Sequence, residues 1–129
     1  MKRRTAREKA LQAIFQIDMS GAAAEDALEH VLDGSPSDQY LQRLVIGTAE
    51  KMEEIDEVII KHLEKWSIKR LANVDRNLLR LSVFELLFCK DEVPANVVID
   101  EAIEIAKVYG DEQSSKFING VLSKVKASY

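Results

Sequence analysis

The residues best suited to chemistry are basic and lie at the start of this 129-residue sequence. Five of the first nine residues are cationic and only Glu8 among them is acidic, whereas the whole chain carries a net charge of −4. Because lysine and arginine neutralise phosphates, this basic arm favours a nucleic acid as partner, while the acidic remainder suits a basic protein. The cations of the arm are Lys2, Arg3, Arg4, Arg7 and Lys9.

Phe15 offers a second kind of contact with RNA, the stacking of its ring on a base. At about 100° per residue it points roughly 150° away from the apolar stripe of the first predicted helix, on the side of Arg4. An aromatic face stacks on an unpaired base, so arm and ring together predict a site for single-stranded RNA. A structural alternative stays open, in which Phe15 packs beneath other helices and the arginines pair with nearby acids. The apolar stripe consists of Ala6, Ala10, Ala13, Ile14 and Ile17.

Residues for catalysis or metal binding are sparse. His30 and His62 are the only histidines, and neither has the two or three further ligands that a zinc site requires. The sequence contains no glycine-rich phosphate loop and no nucleophile elbow. The carboxylates of 53–57 and 100–104 have the spacing of solvated helix faces. We therefore expect no enzymatic activity, no metal and no cofactor.

Cys89 is the only cysteine, so an internal disulfide is excluded. Its apolar neighbours predict a buried thiol in a reducing compartment. No apolar run approaches the roughly 20 residues that span a bilayer, and polar residues interrupt any signal-peptide block after the basic start. We expect a cytoplasmic protein with no membrane partner.

These side chains must be positioned by helices, because apolar residues recur at intervals of three and four and never alternate over a sustained run. The pattern predicts an all-α fold of about seven helices in one compact domain, 1–129, with packed groups at about 1–66 and 67–129. The first predicted helix covers about 4–17 and ends near Ser20–Gly21. The others cover about 23–32, 37–63 with a possible break at 51–54, a short helix in a hinge at 66–74, 76–88, 94–109 and 112–126.

Several residues predict how individual helices begin or end. Ser35 or Ser37 is expected to cap the third helix, and Asp75 the apolar central helix. Pro94 suits a helix start, where its missing N–H costs nothing. Gly110 is expected to end the next helix in the left-handed conformation, with the preceding Tyr109 directed inward.

Several blocks of the sequence resemble the NusB family in the same order and with similar spacing. The blocks are Arg-Arg-Thr-Ala-Arg-Glu at 3–8 with Ala-Leu-Gln-Ala-Ile-Phe at 10–15, Asn-Val-Asp-Arg-Asn-Leu-Leu-Arg-Leu at 73–81 through Phe-Glu-Leu at 84–86, Val-Pro at 93–94, Ile-Asp-Glu-Ala-Ile-Glu-Ile-Ala-Lys at 99–107, and Lys-Phe-Ile-Asn-Gly-Val-Leu at 116–122. Each block alone is weak, but together they are specific and extend over nearly the whole chain.

The resemblance implies a seven-helix, NusB-like domain of a bacterial transcription antitermination factor. Such a factor binds boxA, a short single-stranded RNA element of nascent ribosomal RNA transcripts, together with NusE, a small-subunit ribosomal protein. The pair then joins NusA, NusG and RNA polymerase and supports processive transcription.

The resemblance also implies which residues contact RNA. It places phosphate contacts at Arg3, Arg4 and Arg7 with Lys2 nearby, and a stacking contact at Phe15, where many members have tyrosine and so an additional hydroxyl. Three more positions match the same RNA surface, each with a structural alternative: Asp75 as a helix cap, Arg76 as a surface charge and Phe117 as packing at the core edge.

Other interpretations of the sequence remain open. The chain could be a protein–protein scaffold with a solvated basic arm, or the RNA-targeting module of a ribosomal RNA methyltransferase. No glycine-rich cofactor segment precedes Tyr129, which favours the adaptor. A homodimer that covers the arm is compatible with the sequence. Glu85 and Asn119 lie in or beside apolar stripes, where we expect structural hydrogen bonds or ion pairs.

Overall fold

The computed structural model describes residues 1–65 and 67–129, and over these ranges it consists of seven α-helices and one 3₁₀ turn without a strand. The all-α prediction is therefore confirmed. The helices are α1 (Arg3–Ser20), α2 (Ala24–Leu32), α3 (Gln39–Glu50), α4 (Met52–Lys61), α5 (Asn73–Phe88), α6 (Ala95–Tyr109) and α7 (Ser114–Ser128), and the 3₁₀ turn is Ile68–Arg70.

The central element is α5, which packs against α1, α3, α4, α6 and α7. Its residues from 77 to 86 are all buried, because neighbouring helices surround it. Helix α1 packs on α2, α3 and α5, whereas α6 and α7 pack on each other. The division into groups at 1–66 and 67–129 stays a prediction, and Trp66 at that boundary lies outside the described residues.

Two predicted breaks are confirmed. Gly21 ends α1 in the left-handed conformation, with φ of 71°, and its N–H donates to Ile17 O. Lys51 separates α3 from α4, within the stretch predicted to interrupt the long apolar pattern. No helix in the described ranges is long and apolar enough to cross a bilayer.

The predicted caps at 35, 37 and 75 are wrong. Helix α3 begins at Gln39, so the capping residue is Asp38, whose Oδ1 accepts a hydrogen bond from Leu41 N at 3.0 Å. Helix α5 begins at Asn73, earlier than predicted, which places Asp75 inside the first turn. A carboxylate there still interacts favourably with the positive end of the helix dipole.

Gly110 and Tyr109 also differ from prediction. Gly110 has an extended backbone, with φ of −96° and ψ of −174°. A Cβ at this position would lie 2.4 Å from Ser114 Oγ, so glycine permits a close approach between the end of α6 and the start of α7. Tyr109 is exposed instead of buried, and its hydroxyl donates to Glu8 on α1.

Candidate nucleic-acid interface

The basic arm opens α1 at the protein surface. Lys2 is the residue before the helix, and Lys2, Arg3 and Arg4 are all exposed. The Arg3 guanidinium lies over the ring of Tyr40, with its central carbon 4.2 Å from the ring centroid. This cation–π contact orients one face of the guanidinium and leaves the exposed side chain able to meet a phosphate.

Arg4 forms a surface ion pair with Glu101 of α6. Its Nε and Nη2 donate to the two carboxylate oxygens at 2.7 and 2.6 Å. This hydrogen bonding raises the pKa of Arg4 and lowers that of Glu101. The Arg4 side chain keeps 49% of its surface exposed, so a phosphate can compete with Glu101 for the guanidinium.

Arg7 does not fit the expectation of an exposed RNA contact. It is only 4% exposed, and its Nε and Nη2 donate to the carboxylate of Glu85 at 2.8 and 2.9 Å. The hydroxyl of Tyr40 donates to the same carboxylate. Because α5 covers this flank of α1, the Arg7 guanidinium lies within the protein, where it fixes α1 against α5.

Phe15 is an exposed residue of α1, with 37% of its surface accessible, whereas Leu11, one turn earlier, is buried. An exposed ring on α1 is consistent with the orientation predicted by helical periodicity. Phe15 lies about 16 Å along the helix axis from Arg4, at 1.5 Å per residue. A ligand that contacts both must therefore be extended along α1.

Asp75 and Phe117 line one cavity of about 300 Å³ between the starts of α5 and α7. The Asp75 Oδ1 atom is buried without a hydrogen-bond partner. Burial raises the pKa of this carboxyl, a hydrogen bond with Ser114 opposes the rise in part, and the neighbouring Asp111 raises the pKa further. An acceptor beside an aromatic ring is suited to an amino group of a nucleobase. Arg70 and Gln113 also line the cavity.

Arg76, expected to contact RNA or, as the structural alternative, to be a surface charge, is held by hydrogen bonds within the protein. Its Nη2 donates to Asp18 Oδ2 at 2.6 Å and to Asn73 Oδ1 at 2.9 Å. Asp18 also accepts from Asn77 and forms an ion pair with Arg80. Burial opposes ionisation of Asp18, but the hydrogen bonds from these three residues outweigh it and lower its pKa. The cluster joins the end of α1 to α5.

Sequence reasoning missed this cluster because Asp18 and Arg76 lie 58 residues apart. The cluster nevertheless connects α1, which bears the basic arm, to the start of α5, where Asp75 lies. Arg3 and Arg4 lie at one end of α1, and Asp18 at the other end binds Arg76, the neighbour of Asp75. Phe15 lies three residues before Asp18 on the same helix.

Comparison with known proteins assigns this chain to a protein family. The sequence model of the NusB family matches residues 4–127. The chain belongs to the NusB family. The resemblance inferred from the sequence blocks is thereby confirmed, as is the seven-helix fold that it implied.

Individual members of the NusB family are similar over almost their full length. The chain is 55% identical over 127 residues to the transcription antitermination protein NusB of Bacillus licheniformis, covering 98% of each chain. It is 52% identical over 127 residues to that of Bacillus subtilis, covering 98% of this chain and 96% of the relative.

Solved structures of the family share the fold. T. maritima NusB superposes with a TM-score of 0.90 at 42% identity, covering 100% of this chain and 93% of that one. A structure of the antitermination factors NusB and NusE in complex with double-stranded RNA gives a TM-score of 0.88 at 36% identity, covering 98% and 97%.

Proposed function

We propose that this chain is a non-catalytic transcription antitermination factor that binds boxA-type single-stranded RNA of nascent ribosomal RNA transcripts together with NusE. In the larger complex the pair meets NusA, NusG and RNA polymerase. The names of its relatives and the solved complex of NusB, NusE and RNA support this assignment. The observation that carries it is the exposure of Arg3, Arg4 and the Phe15 ring on one helix of an acidic protein.

Each of the site residues has a distinct role in this proposal. Lys2, Arg3 and Arg4 bind phosphates, and Phe15 stacks on an unpaired base. Phe117 stacks on a second base, and the carboxyl of Asp75, which lines the same cavity, accepts from that base. Arg7 and Arg76 act as positioning residues, because their guanidinium groups bind Glu85 and Asp18 and thereby hold α1 on α5.

The preference for a single strand follows from the exposed aromatic ring. Bases within a duplex are stacked on each other, so Phe15 can stack only on a base that is unpaired or at an end. The RNA in the solved NusB–NusE complex is double-stranded, and phosphate contacts by the arm would serve either form. Comparing the two forms of RNA therefore separates the contribution of the ring from that of the arm.

Binding by the chain alone should be modest and salt-sensitive. Three cations at the arm correspond to a slope of log K against log salt of about −2, at about −0.7 for each phosphate on a single strand. We therefore infer that the surface formed jointly with NusE supplies much of the affinity and selectivity.

The absence of catalysis is part of the same proposal. In the described ranges no three His, Cys, Asp or Glu side chains are grouped so as to hold a metal ion. The thiol of Cys89 is buried, and burial raises its pKa to about 11, so it is a poor nucleophile at neutral pH.

The test is a fluorescence-anisotropy titration of boxA-like single-stranded RNA and a duplex of the same sequence, with and without NusE. We expect joint binding to the single strand, and a loss of about 1–3 kcal/mol with Phe15→Ala. Met19→Ala is the matched control, because Met19 is also an exposed apolar residue of α1.

Two outcomes would overturn the proposal. Binding of NusE without any binding of RNA would assign the chain to the scaffold class. Equal affinities of the parent, the Phe15→Ala variant and an Arg3→Ala/Arg4→Ala variant would move the RNA site away from α1.

A further inference from the structure

A second groove lies beside Phe117, between the end of α4 and the outer face of α7. Its volume is about 330 Å³, and we call it the α7 groove. Lys65 forms part of one wall, and Lys116, Gly120 and Lys124 of α7 form the other. None of these four residues has a task in the site proposed above.

Gly120 is the first indication that something approaches this face closely. It lies inside α7, where glycine is less favourable than alanine. A Cβ at Gly120 would meet no atom within 4 Å, so no contact within the protein requires glycine there. At Gly47, in contrast, a Cβ would lie 2.3 Å from the Phe84 ring, and packing explains that glycine. The empty space beside Gly120 suits a ligand whose backbone approaches the helix closely.

The charges around Gly120 fit a phosphate backbone. Lys116, Gly120 and Lys124 follow one another at intervals of four residues, so they lie in line along one face of α7. Lys65 adds a cation from the opposite wall. Lys124 contacts Glu64, but both side chains are largely exposed, and a surface ion pair of this kind yields readily to a competing phosphate.

The α7 groove continues the RNA surface proposed above. Phe117 lines both this groove and the cavity that contains Asp75. A strand that stacks one base on Phe117 therefore carries its adjoining phosphates over the line of Lys116, Gly120 and Lys124. This continuity favours RNA over an acidic protein segment.

We propose that the α7 groove binds the phosphate backbone of RNA nucleotides that flank the boxA-type element, with Gly120 permitting close approach and Lys65, Lys116 and Lys124 supplying the charge. The inference rests on the proposed function, because it needs RNA at Phe117. It adds a subsite that makes affinity depend on RNA beyond the element itself.

The experiment compares two single-stranded RNAs in anisotropy titrations with the full chain and NusE: the boxA-like element alone, and the element extended by six nucleotides on each side. We expect tighter binding of the extended RNA by the parent. Lys116→Ala/Lys124→Ala should abolish this gain in affinity from the extension. It should also make the slope of log K against log salt for the extended RNA shallower by about 1.4, at about 0.7 for each of two phosphates. Affinity for the short RNA should remain unchanged.

Gly120→Leu tests the close approach separately. Leucine is a better helix former than glycine and its side chain enters open space, so thermal unfolding should stay at or above the parental temperature. The variant should nevertheless lose the gain from the extension. Lys107→Ala/Lys126→Ala is the control for the lysine variant, because it removes the same charge at two exposed residues outside the groove.

The outcomes separate this inference from the proposed function. Equal binding of both RNAs by the parent would overturn the α7 groove and leave the proposed function standing. No binding of either RNA would overturn the proposed function. Loss of NusE affinity in the Lys116→Ala/Lys124→Ala variant, measured without RNA, would identify the groove as a protein-binding surface and overturn its assignment to RNA.

Discussion

The guanidinium of Arg7 and the carboxylate of Glu85 form two parallel hydrogen bonds of 2.8 and 2.9 Å in the interior of the protein. Arg7 is 4% exposed and Glu85 is 1% exposed. Tyr40 of α3 donates its hydroxyl to the same carboxylate and carries the Arg3 guanidinium over its ring. A buried ion pair thus determines how the helix that bears the basic arm sits on α3 and α5.

Glu85→Ala should lower the free energy of unfolding by about 3–5 kcal/mol, because it leaves Arg7 as a buried charge without a partner. Urea denaturation at neutral pH measures the change. Glu64→Ala is the control, because it removes one carboxylate from the exposed pair with Lys124 and should change the free energy of unfolding far less than Glu85→Ala. Similar losses in the two variants would mean that the Arg7–Glu85 pair is not effectively buried in solution.

Much of the fold follows from local sequence. Apolar spacing located the helices, Gly21 ended α1 as predicted, and the break between α3 and α4 was anticipated near Lys51. The structural role expected of Glu85 is confirmed, because a carboxylate within an apolar stripe needs a partner. These features depend on a residue and its near neighbours, which a sequence displays directly.

The candidate site was harder to predict because its pairings are distant in sequence. Helical phase put Arg7 on the flank of α1, but only the fold brings Glu85, 78 residues away, to meet it. Arg76 was expected at the surface, and its partner Asp18 is likewise remote. The extended backbone of Gly110 depends on how α7 approaches α6, which no local pattern encodes.

Asp75→Asn should raise the free energy of unfolding at pH 7. Burial raises the pKa of the Asp75 carboxyl in the folded state, so the folded protein binds this proton more tightly than the unfolded chain does. The parent therefore loses stability as pH rises from the unfolded pKa of about 3.9 through the higher folded value. The variant has no such carboxyl and avoids that loss.

Urea denaturation of the Asp75→Asn variant and the parent between pH 3 and pH 7 checks this prediction. The advantage of the variant should shrink as pH falls and vanish where Asp75 is protonated in both states. Asp91→Asn serves as control, because Asp91 is exposed and its replacement should change little at any pH. A constant difference across the range would rule out the carboxyl proton as its cause.

Cys89 should resist alkylation in the folded protein. The thiol is 1% exposed, and burial raises its pKa to about 11, so only about one molecule in a thousand carries the thiolate at pH 8. Iodoacetamide labelling followed by mass spectrometry should therefore show slow modification that accelerates sharply in denaturing urea. Rapid and complete labelling without urea would show that the region around the end of α5 opens readily.

Alanine substitutions at two helical glycines should change stability in opposite directions. Replacing either glycine by alanine favours the helix by about 1 kcal/mol. At Gly47 the added methyl group would lie 2.3 Å from Cζ of the buried Phe84, and such overpacking costs about 1–3 kcal/mol. At Gly120 the methyl group meets no atom within 4 Å, so no steric cost offsets the free energy that alanine gains in the helix.

Urea denaturation should accordingly show a net loss of up to about 2 kcal/mol for Gly47→Ala and a gain of about 1 kcal/mol for Gly120→Ala. The pair is a matched comparison, because the chemical change is identical and only the surroundings differ. A gain at both positions would mean that α3 and α5 separate at little cost to accommodate the methyl group. A loss at both would mean that Gly120 has a role in the folded chain itself, which would remove the reason for assigning its open face to a ligand.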